Sequence, residues 1–168
     1  MLQMLLIKFD VNRRHAWPNS PNGHVDRFID NLRVQDKTVQ LSQGSASFTA
    51  KLTKKQSGKQ VPYREGDVDV FVFATVHEAL RLLISWEVPA EVLSARGFLE
   101  TDRCKGRTSI VLPLADAEGN NAELEQKVFP SRVFKGDRYA ASFLKIQKLP
   151  VEYEIPSCLQ GRELDVNA

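Results

Sequence analysis

The most continuous apolar pattern in the chain lies near its middle. Residues 68–76 (VDVFVFATV) are apolar on both faces, which is typical of a strand inside a sheet. Residues 81–88 (RLLISWEV) predict a neighbouring strand. Alternating or short apolar runs predict further strands at residues 5–11, 45–53 and 110–114. A sheet therefore dominates the predicted fold.

Helical signals are short and few. Pro89 is a favourable first-turn residue, and the segment after it predicts a short helix that ends at Gly97. Residues 122–128 (AELEQKV) predict a second short helix. Residues 131–144 resist assignment, because 139–146 fit a helix while the flanking residues do not. Together these elements predict a mixed α+β domain.

The chain of 168 residues is long enough to form one domain with its own core. We assign this domain to residues 1–155 and a polar C-terminal tail to 156–168. No apolar run is long enough to span a bilayer, and the first residues lack the features of a signal peptide. We therefore expect an intracellular protein, in the cytoplasm or nucleoid/nucleus, with no membrane partner. Cys104 and Cys158 show neither disulfide nor zinc spacing and are expected to be free thiols.

Positive charge is unevenly distributed. The net charge of +2 alone implies no polyanionic partner. Residues 37–64, however, contain six basic residues and no Asp or Glu. This segment predicts either a surface that contacts a phosphodiester backbone or a loop that its lysines keep soluble. The six residues are Lys37, Lys51, Lys54, Lys55, Lys59 and Arg64.

A hairpin precedes the basic segment. Residues 25–29 and 32–34 favour strands, and Asp30-Asn31 between them tolerates the positive φ angles of a two-residue turn. With this turn, Ile29 pairs with Leu32 and Asp26 lies beside Gln35. Lys37 follows Gln35 by two residues and shares its face. The hairpin thus predicts one face with Asp26, Gln35 and Lys37, and the other face with Val25, Val34 and Asp36.

This face has a chemical use. A hard cation such as Mg²⁺ takes one or two protein oxygens together with waters and substrate phosphate. Such an ion activates water and neutralises phosphoryl charge, and a nearby lysine positions the nucleophile or stabilises the transition state. A surface hairpin with scattered polar residues is the alternative interpretation of the same residues.

The order of these motifs resembles the PD-(D/E)XK nuclease superfamily, in particular homing and restriction-like endonucleases with a Gln-x-Lys variant of the motif. The string Val34-Gln35-Asp36-Lys37-Thr38 matches the Gln-x-Lys triplet, and Asp26 after the Pro-containing segment 17–25 matches the metal-binding aspartate. Tyr63, residues 66–73 and residues 84–93 resemble the segments that follow in that superfamily. The resemblance covers residues 15–97.

The resemblance implies a restriction-endonuclease-like α+β fold with a central mixed β-sheet and flanking helices. It implies a magnesium-dependent hydrolase that cleaves phosphodiester bonds of double-stranded DNA. Asp26, Gln35 and the main-chain carbonyl of Asp36 are then the metal ligands, and Lys37 is the catalytic lysine. Symmetric cutting of a duplex suggests a homodimer or homotetramer. The expected backbone-phosphate contacts are Lys51, Lys54, Lys55, Lys59 and Arg64.

A different function class remains open. The chain is then a non-catalytic nucleic-acid- or protein-binding β-rich domain derived from a nuclease fold, in which the basic segment binds and the triplet does no chemistry. Asp69 is either a further metal contact or, as we favour, a strand-end aspartate paired with a basic neighbour. His24, opposite Lys37 in the hairpin, is either a proton shuttle or, as we favour, an exposed histidine.

Overall fold

A computed structural model describes residues 2–19, 24–42, 46–131 and 133–155. The predicted tail at 156–168, with Cys158, lies outside these residues. In chain order the strands are β1 (His15–Ala16), β2 (Arg27–Ile29), β3 (Leu32–Thr38), β4 (Gln40–Ser42), β5 (Ser47–Lys51), β6 (Thr53–Gln56), β7 (Lys59–Pro62), β8 (Val70–His77), β9 (Leu82–Pro89), β10 (Glu100–Thr101), β11 (Cys104–Lys105), β12 (Ser109–Leu112) and β13 (Leu144–Lys148). The helices are α1 (Leu2–Phe9), α2 (Ala90–Ala95), α3 (Ala122–Val128) and a 3-10 helix at Tyr139–Phe143.

The main sheet has six strands in the order β1-β2-β3-β8-β9-β13. The β3–β8 pair is parallel and the other neighbours are antiparallel, so the sheet is mixed. A second sheet has three strands in the order β12-β5-β4, and β6–β7 and β10–β11 form separate two-stranded ribbons. The predicted fold class, α+β with a central mixed sheet, is confirmed.

The predicted buried strand is confirmed as β8 in the middle of the main sheet. Its first seven residues are buried, because neighbouring elements cover both faces. Phe71 and Phe73 join the larger core cluster, whereas Val70 and Val72 face the opposite side of the sheet. This double burial explains why the segment shows no polar alternation.

Most other predicted elements are also present. The strands predicted at 81–88 and 110–114 correspond to β9 and β12, and the strand predicted at 45–53 corresponds to β5, with residue 45 outside the described part. The helix predicted after Pro89 is α2, with Gly97 at a φ of 76° just beyond it. The helix predicted at 122–128 matches α3.

The strand predicted at residues 5–11 is wrong, because the chain forms helix α1 there. Leu2, Leu5, Leu6 and Phe9 follow helical spacing and form one apolar stripe. Leu5 is 3% exposed and belongs to a cluster with Val76, Leu83 and Leu149. The helix therefore covers the face of the main sheet that carries Val70 and Val72.

The ambiguous segment at 131–144 ends in two different elements. A 3-10 helix occupies Tyr139–Phe143, and Leu144 then begins β13, which pairs with β9 along the edge of the main sheet. The helical fit of residues 139–146 is thus wrong from Leu144 onward, because the open edge of β9 provides backbone partners that favour a strand.

The larger core lies between the main sheet and the three-stranded sheet. Phe48 of β5 packs against Trp86 of β9 with ring centroids 5.4 Å apart, and against Phe129 at 5.6 Å. Trp86 is fully buried and donates its indole N–H to the Pro113 carbonyl at 2.9 Å. This packing fixes β8 and β9, and through β8 it fixes the register of β3.

Within the described residues, no helix is long and apolar enough to cross a membrane.

Candidate metal and nucleic-acid site

The hairpin that carries the candidate residues forms as predicted. Asp30 and Asn31 have φ angles of 48° and 70°, the left-handed values of a tight turn between twisted strands. The register pairs Ile29 with Leu32 and Arg27 with Val34. β3 then runs on through Thr38, beyond the predicted end at Val34, because β8 pairs with it in parallel.

The structure brings Asp26, Gln35 and Lys37 together. All three line one open pocket with a volume of about 920 Å³ at the border between β3 and the β6–β7 ribbon. They lie on the side of β3 that faces Phe71 and Phe73, the paired residues of β8. The remaining lining residues are His24, Lys51, Thr53, Lys54, Lys55, Gln60, Tyr63 and Thr108.

The Gln35 side chain joins the candidate ligands. Its amide Nε2 donates to Asp26 Oδ2 at 2.6 Å and to the main-chain carbonyl of Asp36 at 3.2 Å. Asp26 Oδ2 also accepts the Asp36 backbone N–H at 2.9 Å. The Asp26 carboxylate oxygen and the Asp36 carbonyl oxygen thus both lie next to the Gln35 amide nitrogen, whose hydrogens carry the partial positive charge between them.

Burial controls the ionisation of the two charged groups. Desolvation raises the pKa of Asp26 and the nearby Asp36 adds to this, while the Asp36 backbone N–H and the charge of Lys37 act in the opposite direction. Desolvation lowers the pKa of Lys37, and the charge of Asp26 partly offsets that effect. Each charge therefore favours the ionised form of the other, and shifted pKa values of this kind are frequent at functional sites.

Lys37 is held in place by two contacts. Its Nζ donates to the Thr53 carbonyl at 3.0 Å and lies 4.7 Å from the centroid of the Tyr63 ring. Tyr63 is 2% exposed and packs edge-on against Phe71, with ring centroids 5.1 Å apart. Burial raises the pKa of the Tyr63 hydroxyl.

His24, which we expected to be exposed, is partly buried with its ring 6.1 Å from that of Tyr63.

The carboxylate of Asp36 points away from the pocket. It accepts two hydrogen bonds from the Arg27 guanidinium, both at 2.8 Å, and a third from Gln3 of α1 at 2.8 Å. Arg27 is 2% exposed and also contacts His15 Nδ1 at 3.0 Å. The main-chain carbonyl is therefore the only group of Asp36 that faces the Gln35 amide. This carbonyl is the metal ligand that the resemblance implied.

Arg27 was missed from the sequence, although a signal was present. The predicted pairing placed Arg27 opposite Val34, and Asp36 follows Val34 by two residues on the same face. A diagonal cross-strand ion pair therefore followed from the register. The part played by Gln3 had no such signal, because the segment that contains it was predicted to lead into a strand.

The predicted phosphate-binding residues divide into separate groups. Lys51, Lys54 and Lys55 line the pocket, but Lys54 is paired with Asp67 at 2.5 Å. Lys59 lies on β7 outside the lining residues. Arg64 contacts Asp102 at 2.9 Å and Glu100 at 3.6 Å. Lys51 and Lys55 thus line the pocket without an acidic partner among the described residues.

Further acidic ligands are scarce. Asp69 pairs with Arg33 at 3.1 Å, which lowers the pKa of the carboxyl, and it does not line the pocket. This arrangement agrees with the strand-end pairing that we favoured. Across the described parts of the chain, no three His, Cys, Asp or Glu residues lie close enough to share an ion. The candidate site therefore offers one carboxylate, one amide and one carbonyl.

Comparisons with known proteins concern the fold. No family model matches the chain, and no curated protein matches it. The crystal structure of MepB is similar over 88% of this chain and 97% of that one, with a TM-score of 0.57 and 15% identity. The bacterial homing endonuclease I-Ssp6803I aligns over 69% of this chain and 75% of that one, with a TM-score of 0.49 and 18% identity. The chain thus shares its fold with MepB.

Proposed function

We propose that this protein is a metal-dependent DNA endonuclease that hydrolyses phosphodiester bonds in double-stranded DNA, in the manner of homing or restriction enzymes. The observation that carries the proposal is the convergence of Asp26, Gln35 and the Asp36 carbonyl beside the Lys37 ammonium. Gln35, Asp36 and Lys37 belong to β3, and Asp26 directly precedes β2. The hairpin register and the pairing with β8 hold these groups in place.

The donor set suits Mg²⁺. Asp26 Oδ2 and the Asp36 carbonyl already share a partner in the Gln35 amide, and a half-turn of that amide presents its oxygen instead of its nitrogen. Hard cations favour such oxygen ligands, and Mg²⁺ keeps several waters, so substrate phosphate completes a small protein set. When bound, the ion supplies Lewis acidity and charge neutralisation.

Lys37 supplies the positive charge of the chain itself. Its ammonium has three donors, of which the Thr53 carbonyl takes one, so two remain for a phosphate oxygen or an attacking water. The pocket is partly desolvated, and there a donor at a phosphoryl group acts more strongly than in water. The lowered pKa of Lys37 also eases transfer of its proton to the leaving oxygen.

The rim of the pocket provides backbone contacts. Lys51 and Lys55 line it without acidic partners in the described structure, and the segment from 37 to 64 contains no acidic residue. Charges of this kind bind phosphates without reading sequence. They place a phosphodiester next to Lys37, while Lys54, which is paired with Asp67, adds less net charge.

Cleavage of plasmid and long linear duplex DNA tests the proposal. We expect cutting with Mg²⁺, none with EDTA, and a loss of at least a hundredfold in rate for Lys37→Ala and for Asp26→Asn. Lys127→Ala is the control, because it removes an exposed lysine of α3 outside the pocket lining. Absence of Mg²⁺-dependent cleavage on every duplex tested, with a folded wild-type protein, overturns the proposal.

A second candidate function is a DNA-binding domain without nuclease activity. The observation that favours it is the single carboxylate of the pocket, together with the engagement of Lys37 by Thr53 and Tyr63. The same experiment separates the two candidates: binding of duplex DNA that survives Lys37→Ala, without cleavage by the wild type, supports the second. Because one site cuts one strand, the nuclease function also implies a homodimer or homotetramer, which light scattering after size-exclusion chromatography measures.

A further inference from the structure

The β6–β7 ribbon is distinct from the rest of the fold. It forms its own two-stranded sheet with a turn at Ser57 and Gly58, whose φ angles are 50° and 78°. All residues from Lys55 to Gln60 are exposed. The turn angles match the right-handed twist of a hairpin, so the ribbon is formed before any partner arrives. It is an exposed and preorganised element without an evident task in folding.

The two faces of the ribbon differ in what they face. Lys55 pairs with Gln60, and Gln56 pairs with Lys59, so the two pairs point to opposite sides. Lys55 and Gln60 line the pocket that contains Asp26 and Lys37. Gln56 and Lys59 do not line it, and Lys54, which shares their face and does line it, is paired with Asp67. A nucleic acid in the pocket therefore meets the face that carries Lys55 and Gln60.

Gln60 is suited to read a base. Its Oε1 accepts the Thr53 hydroxyl at 3.0 Å, which fixes the amide orientation. Among the described residues, the Nε2 donors and one lone pair of Oε1 have no hydrogen-bond partner. A glutamine amide offers one donor and one acceptor, and this pair matches N7 and N6 of adenine in the major groove. A phosphate, which only accepts hydrogen bonds, would use the donor alone.

We propose that the β6–β7 ribbon enters the major groove of duplex DNA and that Gln60 recognises an adenine there, while Lys55 beside it contacts the backbone. A major groove about 12 Å wide admits a two-stranded ribbon, and the lysines and the lack of acidic residues in this segment complement the charge of DNA. The inference rests on the proposed function in naming DNA as the substrate. It goes beyond that function in assigning sequence specificity to Gln60.

Selection from a pool of randomised duplexes, performed with EDTA, tests the inference without cleavage. The wild type should enrich an adenine at one position, and Gln60→Ala should lose that preference by about tenfold or more. Gln56→Ala is the matched control, because it removes an exposed glutamine from the opposite face of the same ribbon. It should keep the preference. Circular dichroism melts confirm that both variants are folded.

A modified base locates the contact in the groove. Replacement of the enriched adenine by 7-deazaadenine removes N7 and preserves base pairing. It should weaken wild-type binding about tenfold and leave Gln60→Ala binding unchanged within about twofold. Equal weakening of both proteins overturns the assignment to Gln60.

Other outcomes also decide the matter. No enrichment by the wild type, a preference that responds only to A·T content, or binding restricted to single strands each overturns the inference. Enrichment that needs Gln60 in a protein that cleaves nothing keeps the inference and overturns the nuclease function. Cleavage by a protein whose base preference does not depend on Gln60 supports the nuclease function and overturns the inference.

Discussion

At the scale of single residues, the candidate site is governed by two partly buried charges, Asp26 and Lys37, each of which only partly offsets the desolvation of the other. Asp26 has a raised pKa and Lys37 a lowered one, and in both cases burial is the largest cause. Charged forms in such surroundings cost free energy that the fold supplies elsewhere. Residues that perform chemistry commonly weaken the fold in this way.

Asp26→Asn should therefore be more stable than the wild type at neutral pH, although it should not cleave DNA. The raised pKa means that the wild type loses stability as pH rises from the model-peptide value of 3.8 through the folded-state pKa. The advantage of the asparagine should be small at pH 3.5 and reach its full size above that window. Urea unfolding at several pH values measures it.

Asp102→Asn is the control for this experiment, because Asp102 is 93% exposed and its ion pair with Arg64 contributes little. Its stability relative to the wild type should stay nearly constant over the same pH range. A wild type that exceeds Asp26→Asn in stability at pH 7 contradicts the prediction.

Arg27 and Asp36, in contrast, form a direct ion pair with two hydrogen bonds, and the Arg27 side chain is buried. Arg27→Met should lower the free energy of unfolding by about 3–5 kcal/mol, since Asp36 keeps a partly buried charge without its guanidinium partner. Asp36→Leu should cost a similar amount, and the double variant should recover much of the loss. Urea unfolding of all four proteins measures the coupling, and additive losses contradict it.

At the scale of elements, local chemistry made the hairpin predictable. Asp30-Asn31 is a turn signal that fixes the register, and the register alone determines which side chains share a face. Helix α1 was missed because its residues also fit an apolar strand over a short window. Only the stripe from Leu2 to Phe9, which packs on the main sheet, decides between the two.

The turn should be sensitive to the side chain at Asn31. Asn31→Val should destabilise the protein by about 1–2 kcal/mol, because a β-branched residue resists the φ of 70° found there. Asn31→Gly should match or exceed the wild type, since glycine accepts this angle freely. Thermal unfolding of both variants measures the difference, and equal stability of the valine variant and the wild type contradicts it.

At the scale of the whole molecule, the sequence located a basic segment but not the partners of its charges. The acid-free run of residues is continuous along the chain, yet in space Lys54 meets Asp67, and Arg64 meets Glu100 and Asp102. These acidic residues lie after the run, and the sequence gives no indication of their approach. The fold class, the β2–β3 hairpin and the pairing of β8 with β9 followed from pattern, whereas the strand order and the distribution of free charge required the tertiary structure.

The salt dependence of DNA binding should reveal this distribution. Lys51→Ala should reduce the slope of log K against log salt by about 0.9, because it removes one phosphate contact. Lys54→Ala should reduce it by less, since Asp67 already neutralises Lys54. Lys127→Ala, on α3 and paired with Glu123, is the control and should leave the slope unchanged. Equal effects of Lys51→Ala and Lys54→Ala contradict the prediction.

The Gln35 amide has a consequence for the order in which ligands arrive. It donates to both Asp26 and the Asp36 carbonyl, so each of these oxygens has a hydrogen-bond partner within the chain. To hold an ion, the Gln35 amide would have to turn so that its oxygen faces the site, and Asp26 would supply the one full negative charge there. Under the proposed function, affinity for the ion alone would be low, and the substrate phosphate would supply the missing negative charge. The bound DNA would then complete the magnesium site, and magnesium without DNA would occupy it only weakly.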